Sequence, residues 1–589
     1  MKTKTTLCTY LTCFFLILFT ASSLRAQLVT AGNDDGSDGT LRSEISDTPE
    51  GGVVTFAPGV TMAGLTSQIT ITKNITITGN GLGTTTIDGN DAARIFFVIA
   101  GKTLTINDLT ITNGADLDGG AIFVSGGTLN MTSVEINNSK AYGSSGSGGA
   151  IYLDEGSNFM AMNASFMSNR ANRAGGAIED NSGDETTISI ANSMFSDNNA
   201  GVSPAVAAPG NGGAIHITGA GNMDISFTDF MGNMAAREGG ALWNGAGLMT
   251  VDNSEISGNF AYGDAADDGG AGIFNNGGDL TVSSSNISTN GAEGASASGG
   301  AILSLDGTVA ISGSTINANY ANRAGGGIEL VAGSLNTTGT DFTDNYFMTG
   351  NPGNGGALHV TGEATISIVG GEVSGNIATS EGGGLWNQVG STMTVDGVNI
   401  TGNTAMGAAA DNGGGGIFNN GGTLSVVNNT MISGNMATGA SGSGGALFST
   451  AGDVTVLGST LFNNRANRAG GAIEIIEGSL TVSSSELNQN GFTTPAPGNG
   501  GALHVSGSAM VEFNGGTVSD NVAASEGGGL WNQAGATMIV SGTQILSNTA
   551  SGNDADNGGG GIFNNGGTLE IANATLINGN MATGTSGSG

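Results

Sequence analysis

The sequence predicts an all-β fold, a parallel β-helix (solenoid) of about 16–19 coils behind an N-terminal cap. Glycine makes up 108 of 589 residues while proline makes up only 7, which excludes long helices and Pro-rich disorder. A Gly-Gly-(Ala/Gly)-(Ile/Leu) phrase recurs at spacings of 26 to 37 residues, and the segments between copies alternate apolar and polar residues. The aliphatic residue of the phrase stands at Ile122, Ile151, Ile178, Ile215, Leu242, Ile273, Ile302, Ile328, Leu358, Leu385, Ile417, Leu447, Ile473, Leu503, Leu530 and Ile562.

The first 26 residues read as a signal peptide. Lys2 and Lys4 precede an apolar stretch, and cleavage is predicted after Ala26. Both cysteines, Cys8 and Cys13, lie in this segment. We therefore expect an exported, cysteine-free mature chain that is stable without disulfides.

Residues 27–62 are predicted to form a cap. A polar turn from Asn33 is followed by a short helical signal at Arg42-Ser-Glu-Ile45, which would cover the open end of the first coil. The β-helix is then expected over residues 63–589.

One unit, Thr308 to Leu330, illustrates the coil. Three short segments alternate apolar and polar residues, so each reads as a half-buried strand. A single coil cannot close a core, but parallel stacking at about 4.8 Å would align its aliphatic residues with those of its neighbours.

A second phrase places an apolar residue three before an asparagine at one corner of each coil. We expect these amides to form a hydrogen-bonded ladder along the solenoid, as in other stacked β structures. The ladder residues are Asn169, Asn198, Asn233, Asn259, Asn290, Asn319, Asn345, Asn376, Asn403, Asn435, Asn464, Asn490, Asn521, Asn548 and Asn580, with Ser139 in the first copy.

Five coils form a longer repeat, at about 149–299, 300–444 and 445–589. The chain stops as a fourth unit begins, so we expect the natural protein to continue. The residue after the anchoring aliphatic shows the period. It is Tyr152, Glu179, His216, Trp243 and Phe274, then Leu303, Glu329, His359, Trp386 and Phe418, then Phe448, Glu474, His504, Trp531 and Phe563.

These residues follow an inward-facing aliphatic, so alternation predicts that they lie on an exposed stripe, and all of them except Leu303 and Phe448 are candidate ligand-binding residues. Burial of Glu and His without partners would be costly, about 2–7 kcal/mol each. The alternative is a local reversal that packs the aromatics inside. Glu and His on adjacent coils would lie about 5 Å apart, suited to acid–base chemistry or half a zinc site, but three identical copies favour a structural ion pair.

Loops on one edge carry carboxylates and amides suited to Ca²⁺, although their spacing fits turn chemistry better. The candidate ligands are Asp267, Asp268, Asp411, Asp554 and Asp556. No other cofactor is required. Arg170-Ala-Asn-Arg173 and its copies are expected to neutralise neighbouring acids. The formal charge of −34 disfavours nucleic acid and anionic membranes as partners.

The paired phrases resemble the repeats of bacterial polymorphic outer membrane proteins over roughly Leu104 to Gly589. Gly-Gly-Ala-Ile stands at Gly119 to Ile122 and Gly148 to Ile151, and Phe-x-x-Asn at Phe166 to Asn169 and Phe342 to Asn345. The resemblance implies a single-stranded, right-handed, pectate-lyase-like β-helix displayed at the cell surface.

The resemblance also implies adhesion, so we expect a glycan or protein on another cell or surface as the partner. Membrane contact would come only through a C-terminal anchor outside this chain. The alternative is a polysaccharide lyase or glycoside hydrolase, which would need one non-repeated cluster of carboxylates with a basic residue. We identify no catalytic residue in the sequence.

Overall fold

The computed structural model describes residues 26–183, 186–350, 352–493, 495 and 497–588. The predicted signal peptide, apart from Ala26, lies outside them. The chain forms a right-handed parallel β-helix of about 19 turns with almost no helix. No helix in the described ranges has the length and apolar character needed to span a bilayer.

The N-terminal cap combines two strands and the α-helix Leu41–Asp47. Thr40 caps this helix by accepting a hydrogen bond from the Ser43 N–H, and the buried side chain of Ile45 joins the core. Strand Gln27–Val29 pairs in parallel with Gly52–Phe56. Strand Gly52–Phe56 in turn pairs with Ile75–Thr78. The stack therefore begins inside the predicted cap.

A typical coil contains four strands, and equivalent strands of successive coils pair in parallel. In the second five-coil unit the strands are Ile302–Asp306, Thr308–Ser312, Thr315–Asn317 and Tyr320–Ala321; Ile328–Leu330, Gly333–Thr338, Asp341–Thr343 and Tyr346–Phe347; Leu358–Val360, Ala364–Val369, Glu372–Ser374 and Ile377–Ala378; Leu385–Gln388, Thr392–Asp396, Asn399–Thr401 and Thr404–Ala405; and Ile417–Asn420, Thr423–Val427, Met431–Ser433 and Met436–Ala437.

The second and third strands of each coil belong to a 37-stranded parallel sheet. The first strands, which follow the Gly-Gly phrase, form what we call the Gly-Gly sheet. Outside the second unit its strands include Ile178–Asp180, Ile215–Ile217, Leu242–Asn244, Ile273–Asn276, Ile473–Ile475, Leu503–Val505, Leu530–Gln533 and Ile562–Asn565. The two-residue strands after the asparagine corner form the short sheets, named so throughout.

Aliphatic side chains of equivalent positions align in the interior. Ile316 pairs with Ile287 on one side and with Phe342 on the other, and all three are fully buried. Each such side chain contributes roughly 1.5–3 kcal/mol of hydrophobic stabilisation.

The Gly-Gly corner requires glycine at both places. Gly382 has a φ of +64°, which disfavours residues with a Cβ. A Cβ on Gly383 would lie 2.3 Å from the carbonyl oxygen of Gly415 on the next coil. The phrase is thus a consequence of close coil-to-coil packing.

The asparagine corner forms the ladder expected from the repeat. From Asn169 to Asn548, each Nδ2 donates to Oδ1 of the asparagine on the next coil at 2.9–3.1 Å. Each backbone N–H donates to the same oxygen, as Asn345 does to Asn376 at 3.0 Å. Ser139 begins the ladder by donating its N–H to Asn169.

Candidate binding surfaces

The predicted exposed stripe lies on the outer side of the Gly-Gly sheet, and its exposure was predicted wrongly. Glu179 is paired with His216, which is paired with Trp243, and Trp243 with Phe274, so the register is as expected. The side chains are nevertheless buried: the three glutamates are inaccessible, and the three tryptophans are 5–8% exposed. Tyr152 and Phe563 are half-buried. The buried members are Glu179, His216, Trp243, Phe274, Leu303, Glu329, His359, Trp386, Phe418, Phe448, Glu474, His504 and Trp531.

Stacking between coils covers the faces of these rings. The ring centroids of His359 and Trp386 lie 4.3 Å apart, and those of Trp386 and Phe418 lie 6.0 Å apart. The rings are stacked in both pairs. The other two units repeat this arrangement. Trp386, Phe418 and Phe448, with Ile476 beside them, form a small apolar cluster separate from the main core.

The indole N–H of each tryptophan is hydrogen-bonded to a glutamate five residues earlier in the chain. The Nε1–H of Trp386 donates to Oε2 of Glu381 at 3.2 Å, and Glu381 also accepts a hydrogen bond from Asn412 at 2.7 Å. Trp243 donates to Glu238, and Trp531 to Glu526, in the same way. Burial raises the pKa of Glu381 despite these two hydrogen bonds.

The Glu–His pairs are direct contacts, closer than the predicted 5 Å. His359 Nδ1 lies 2.8 Å from Glu329 Oε2, and His504 Nδ1 lies 2.9 Å from Glu474 Oε2. In the first unit, His216 Nδ1 lies 3.1 Å from both carboxylate oxygens of Glu179, with the hydrogen bond to Oε1.

An arginine and a threonine complete the first pair. Burial by itself would raise the pKa of Glu179, but His216, Thr218 and Arg173 together hold that pKa below its usual value. Arg173 Nη1 donates to Glu179 Oε1 at 3.3 Å. A carboxylate can only accept, so Nδ1 of His216 is the donor in this hydrogen bond.

The other arginines of the repeated Arg-Ala-Gly-Gly segment play the same part. Arg468 donates to Glu474 at 3.0 Å, and Arg323 lies 3.6 Å from Glu329. The expected neutralisation of acids therefore holds for Arg173, whereas Arg170 contacts no acid among the described residues.

The loop carboxylates proposed for calcium do not converge. Asp268 is buried and its Oδ1 lies 2.7 Å from Arg237 Nε. Asp267, Asp411, Asp554 and Asp556 are exposed. Within the described ranges, no three His, Cys, Asp or Glu side chains are grouped to hold a metal ion. Calcium binding stays a prediction.

An aromatic surface that the sequence patterns did not predict lies on a short sheet. We call Phe260, Tyr262, Tyr320 and Tyr346 the outer aromatic cluster. Tyr262 is 36% exposed and the other three rings are half-buried. The Tyr320 and Tyr346 rings lie 5.4 Å apart, and the rings of Phe260 and Tyr262 lie 6.4 Å apart.

The cluster is held in place by a glycine and a glutamate. Tyr320 extends over Gly291 on the preceding coil, where a Cβ would lie 2.4 Å from its Cζ. Its hydroxyl donates to Glu293 Oε1 at 2.7 Å. Burial and this glutamate raise the pKa of Tyr320. The sequence signal that could have found the cluster was the aromatic residue directly after a ladder asparagine.

Fold and surface together define a right-handed parallel β-helix repeat protein. Comparisons of the chain with protein-family models, with curated proteins and with solved structures find no match.

Proposed function

We propose that this chain is the binding part of an exported, surface-displayed bacterial adhesin, and that a glycan or protein on another cell docks on the outer aromatic cluster. The repeats that resemble polymorphic outer membrane proteins and the N-terminal export signal support this placement. Membrane attachment, in this proposal, comes through a C-terminal anchor outside the chain.

The observation that carries the proposal is the contrast between a repeated interior and a non-repeated cluster. The Glu–His–Trp–Phe column recurs in all three units. By contrast, the positions of Tyr320 and Tyr346 are occupied by Arg465 and Gly491 one unit later. Packing does not require the aromatic residues there, because the same strands form with other side chains. Tyrosines with one wet edge are typical of protein and glycan contact sites.

The buried Glu–His–Trp–Phe column favours a structural role over a catalytic one. Each Glu–His pair is buried and is present three times, whereas an enzyme of the alternative class needs one accessible site. A turnover assay on acidic polysaccharides with added Ca²⁺ checks this directly, and measurable cleavage would favour the lyase or hydrolase alternative.

Glycan arrays and attachment to cells test the proposal. The triple variant Tyr262→Ala/Tyr320→Ala/Tyr346→Ala should lose at least tenfold in affinity, equivalent to about 1.4 kcal/mol. The matched control is Phe227→Ala/Phe462→Ala, which removes two exposed rings elsewhere, 57% and 38% exposed. Circular dichroism verifies that both variants fold.

A finer variant, Gly291→Ala, displaces only the ring of Tyr320, because this glycine does not need a positive φ. It should weaken binding without loss of stability. Unchanged attachment by the triple variant, or equal loss in the control, would refute the proposal.

A further inference from the structure

A cavity of about 370 Å³ opens on the short sheet near the start of the first five-coil unit. Lys140 and Arg170 are partners on adjacent strands and line it together with Tyr142. Pro204 and Val206, from the loop of the following coil, form its other wall.

The loop wall is fixed by an asparagine. Asn172 Oδ1 accepts a hydrogen bond from the Val206 N–H at 2.8 Å, and Asn172 Nδ2 donates to the Gly143 carbonyl at 2.9 Å. The cavity is therefore bounded by three successive coils tied by hydrogen bonds.

Its charge is unusual for this chain, which has 48 acidic and 14 basic residues. Lys140 Nζ lies 2.8 Å from Asp91, a carboxylate whose side chain is 58% exposed, so that pair is screened by water. The guanidinium of Arg170 has neither an ion pair nor a hydrogen bond to any residue that the structure describes. Two neighbouring cations therefore line this cavity, and no acid is among its described lining residues.

The later units provide internal comparisons. Arg465 stands where Arg170 does, but its neighbour on the preceding coil is Met436 and its Nη2 donates to Asn463 at 2.9 Å. At the equivalent position one repeat later the pair is Gly291 and Tyr320. Of these three equivalent pairs, only Lys140 and Arg170 place cation beside cation.

We propose that this cavity binds the carboxylate of a sugar acid, a hexuronate at the end of a glycan. The volume lies in the range of about 300–1,000 Å³ typical of small-molecule sites. Arg170 offers the planar donor pair that carboxylates bind bidentately, and Lys140 adds a second charge. Tyr142 and Val206, 55% and 67% exposed, give the sugar ring apolar surface.

The overall charge of the chain favours a ligand with a single carboxylate over a polyanion. A formal charge of −34 repels polyanions. One carboxylate on an otherwise neutral ring therefore fits better than a run of acidic residues in a peptide.

The site is separate from the outer aromatic cluster, so the two proposals fail independently. Isothermal titration of the full chain uses methyl glucuronide, with methyl glucoside as the neutral analogue of the same ring. The glucuronide should bind at least about tenfold more tightly, and its affinity should fall as salt is added. Arg170→Gln should lower that affinity at least about tenfold, because a charge-assisted pair is lost.

Arg465→Gln is the matched control and should leave the affinity unchanged, as should the triple tyrosine variant. No glucuronide binding, equal binding of the glucoside, or an unchanged affinity in Arg170→Gln would overturn the proposal. So would tighter binding of an N-acetylated, amidated aspartate, which would assign the cavity to acidic peptides.

Discussion

Asp180 lies in the same interior column as Ile217, its partner on the next coil, and both side chains are inaccessible to water. On the preceding coil the partner of Asp180 is Leu153. In the second and third units the position of Asp180 is occupied by Leu330 and Ile475. Burial raises the pKa of Asp180 to about 6, although Ser182 donates hydrogen bonds that oppose the shift. One carboxyl therefore lies between aliphatic side chains on the two neighbouring coils.

This carboxyl should make stability fall as pH rises. The folded pKa exceeds the ordinary value of 3.8, so the folded state binds more protons between roughly pH 4 and pH 6, and the free energy of unfolding decreases across that window. The cost at pH 7 is about 3 kcal/mol. Asp180→Leu should recover most of it at pH 7 and little at pH 4.

Chemical denaturation of both proteins at several pH values measures the difference, in which the contributions of titratable groups common to both proteins cancel to first order. Leu330→Asp is the reciprocal control and should introduce the same pH-dependent loss in the second unit. A difference between Asp180→Leu and the parent that is independent of pH would contradict the assignment.

The Glu329–His359 pair should show strong coupling. Glu329→Leu leaves His359 and Arg323 without their carboxylate and should cost about 3–5 kcal/mol, as for other broken buried pairs. The double variant Glu329→Leu/His359→Leu should cost clearly less, since Leu303 already occupies this face on the neighbouring coil. Hydrogen exchange of the local amides is the suitable measurement, because solenoids unfold in segments.

The unaltered Glu474–His504 pair in the same molecule serves as the internal reference. Its amides should keep their protection in both variants. Additive effects of the two substitutions would show that the contact contributes no coupling energy.

A break in the asparagine ladder should be costly. Asn345 Oδ1 accepts from the N–H and Nδ2 of Asn319, and its own Nδ2 donates to Ile316 and Asn376. Asn345→Ala leaves these buried groups unpaired, at about 1–3 kcal/mol each. We expect a loss of at least about 3 kcal/mol, measured by denaturation.

Asn317→Ala, two residues before Asn319 on the preceding coil and half-buried outside the ladder, is the control and should cost far less. Equal losses in the two variants would mean that the ladder does not stabilise the coil.

The tryptophans report on the buried column. Trp243, Trp386 and Trp531 are the chain's only three, and all are at most 8% exposed. Their fluorescence should be blue-shifted and almost insensitive to iodide in the native protein, and both properties should change on unfolding. Strong iodide quenching of tryptophan fluorescence in the native protein would instead show that these side chains are exposed, as strand alternation predicts.

The coil, its stacking and the asparagine corner could be predicted because each depends on residues that recur. Val309 and Ile311 alternate with the smaller or polar residues Thr308, Ala310 and Ser312, and the ladder asparagines keep one place in each coil from Asn169 to Asn580. The exposure of Trp386 could not be predicted from alternation, which indicates the side of a strand but not what covers that side. Glu381, five residues before Trp386, was a usable signal, since Glu238 and Glu526 precede the other two tryptophans identically.

The outer aromatic cluster and the Arg170 cavity were harder to predict. Both depend on residues that do not recur, and on which coils lie next to each other. Gly291 makes room for Tyr320 across a gap of 29 positions, a relationship visible only after the register is known.

The amide corner has a consequence for how such a gene can change length. Deletion of residues 320–464 would join Asn319 to Arg465 and place Asn319 next to Asn490 in the ladder. Asn319 would then donate to Asn490 the same hydrogen bond that it now donates to Asn345. Recombination between the repeats would therefore shorten or lengthen the rod by whole five-coil units without interrupting the asparagine ladder. The length of the rod would then vary while its cross-section stayed constant.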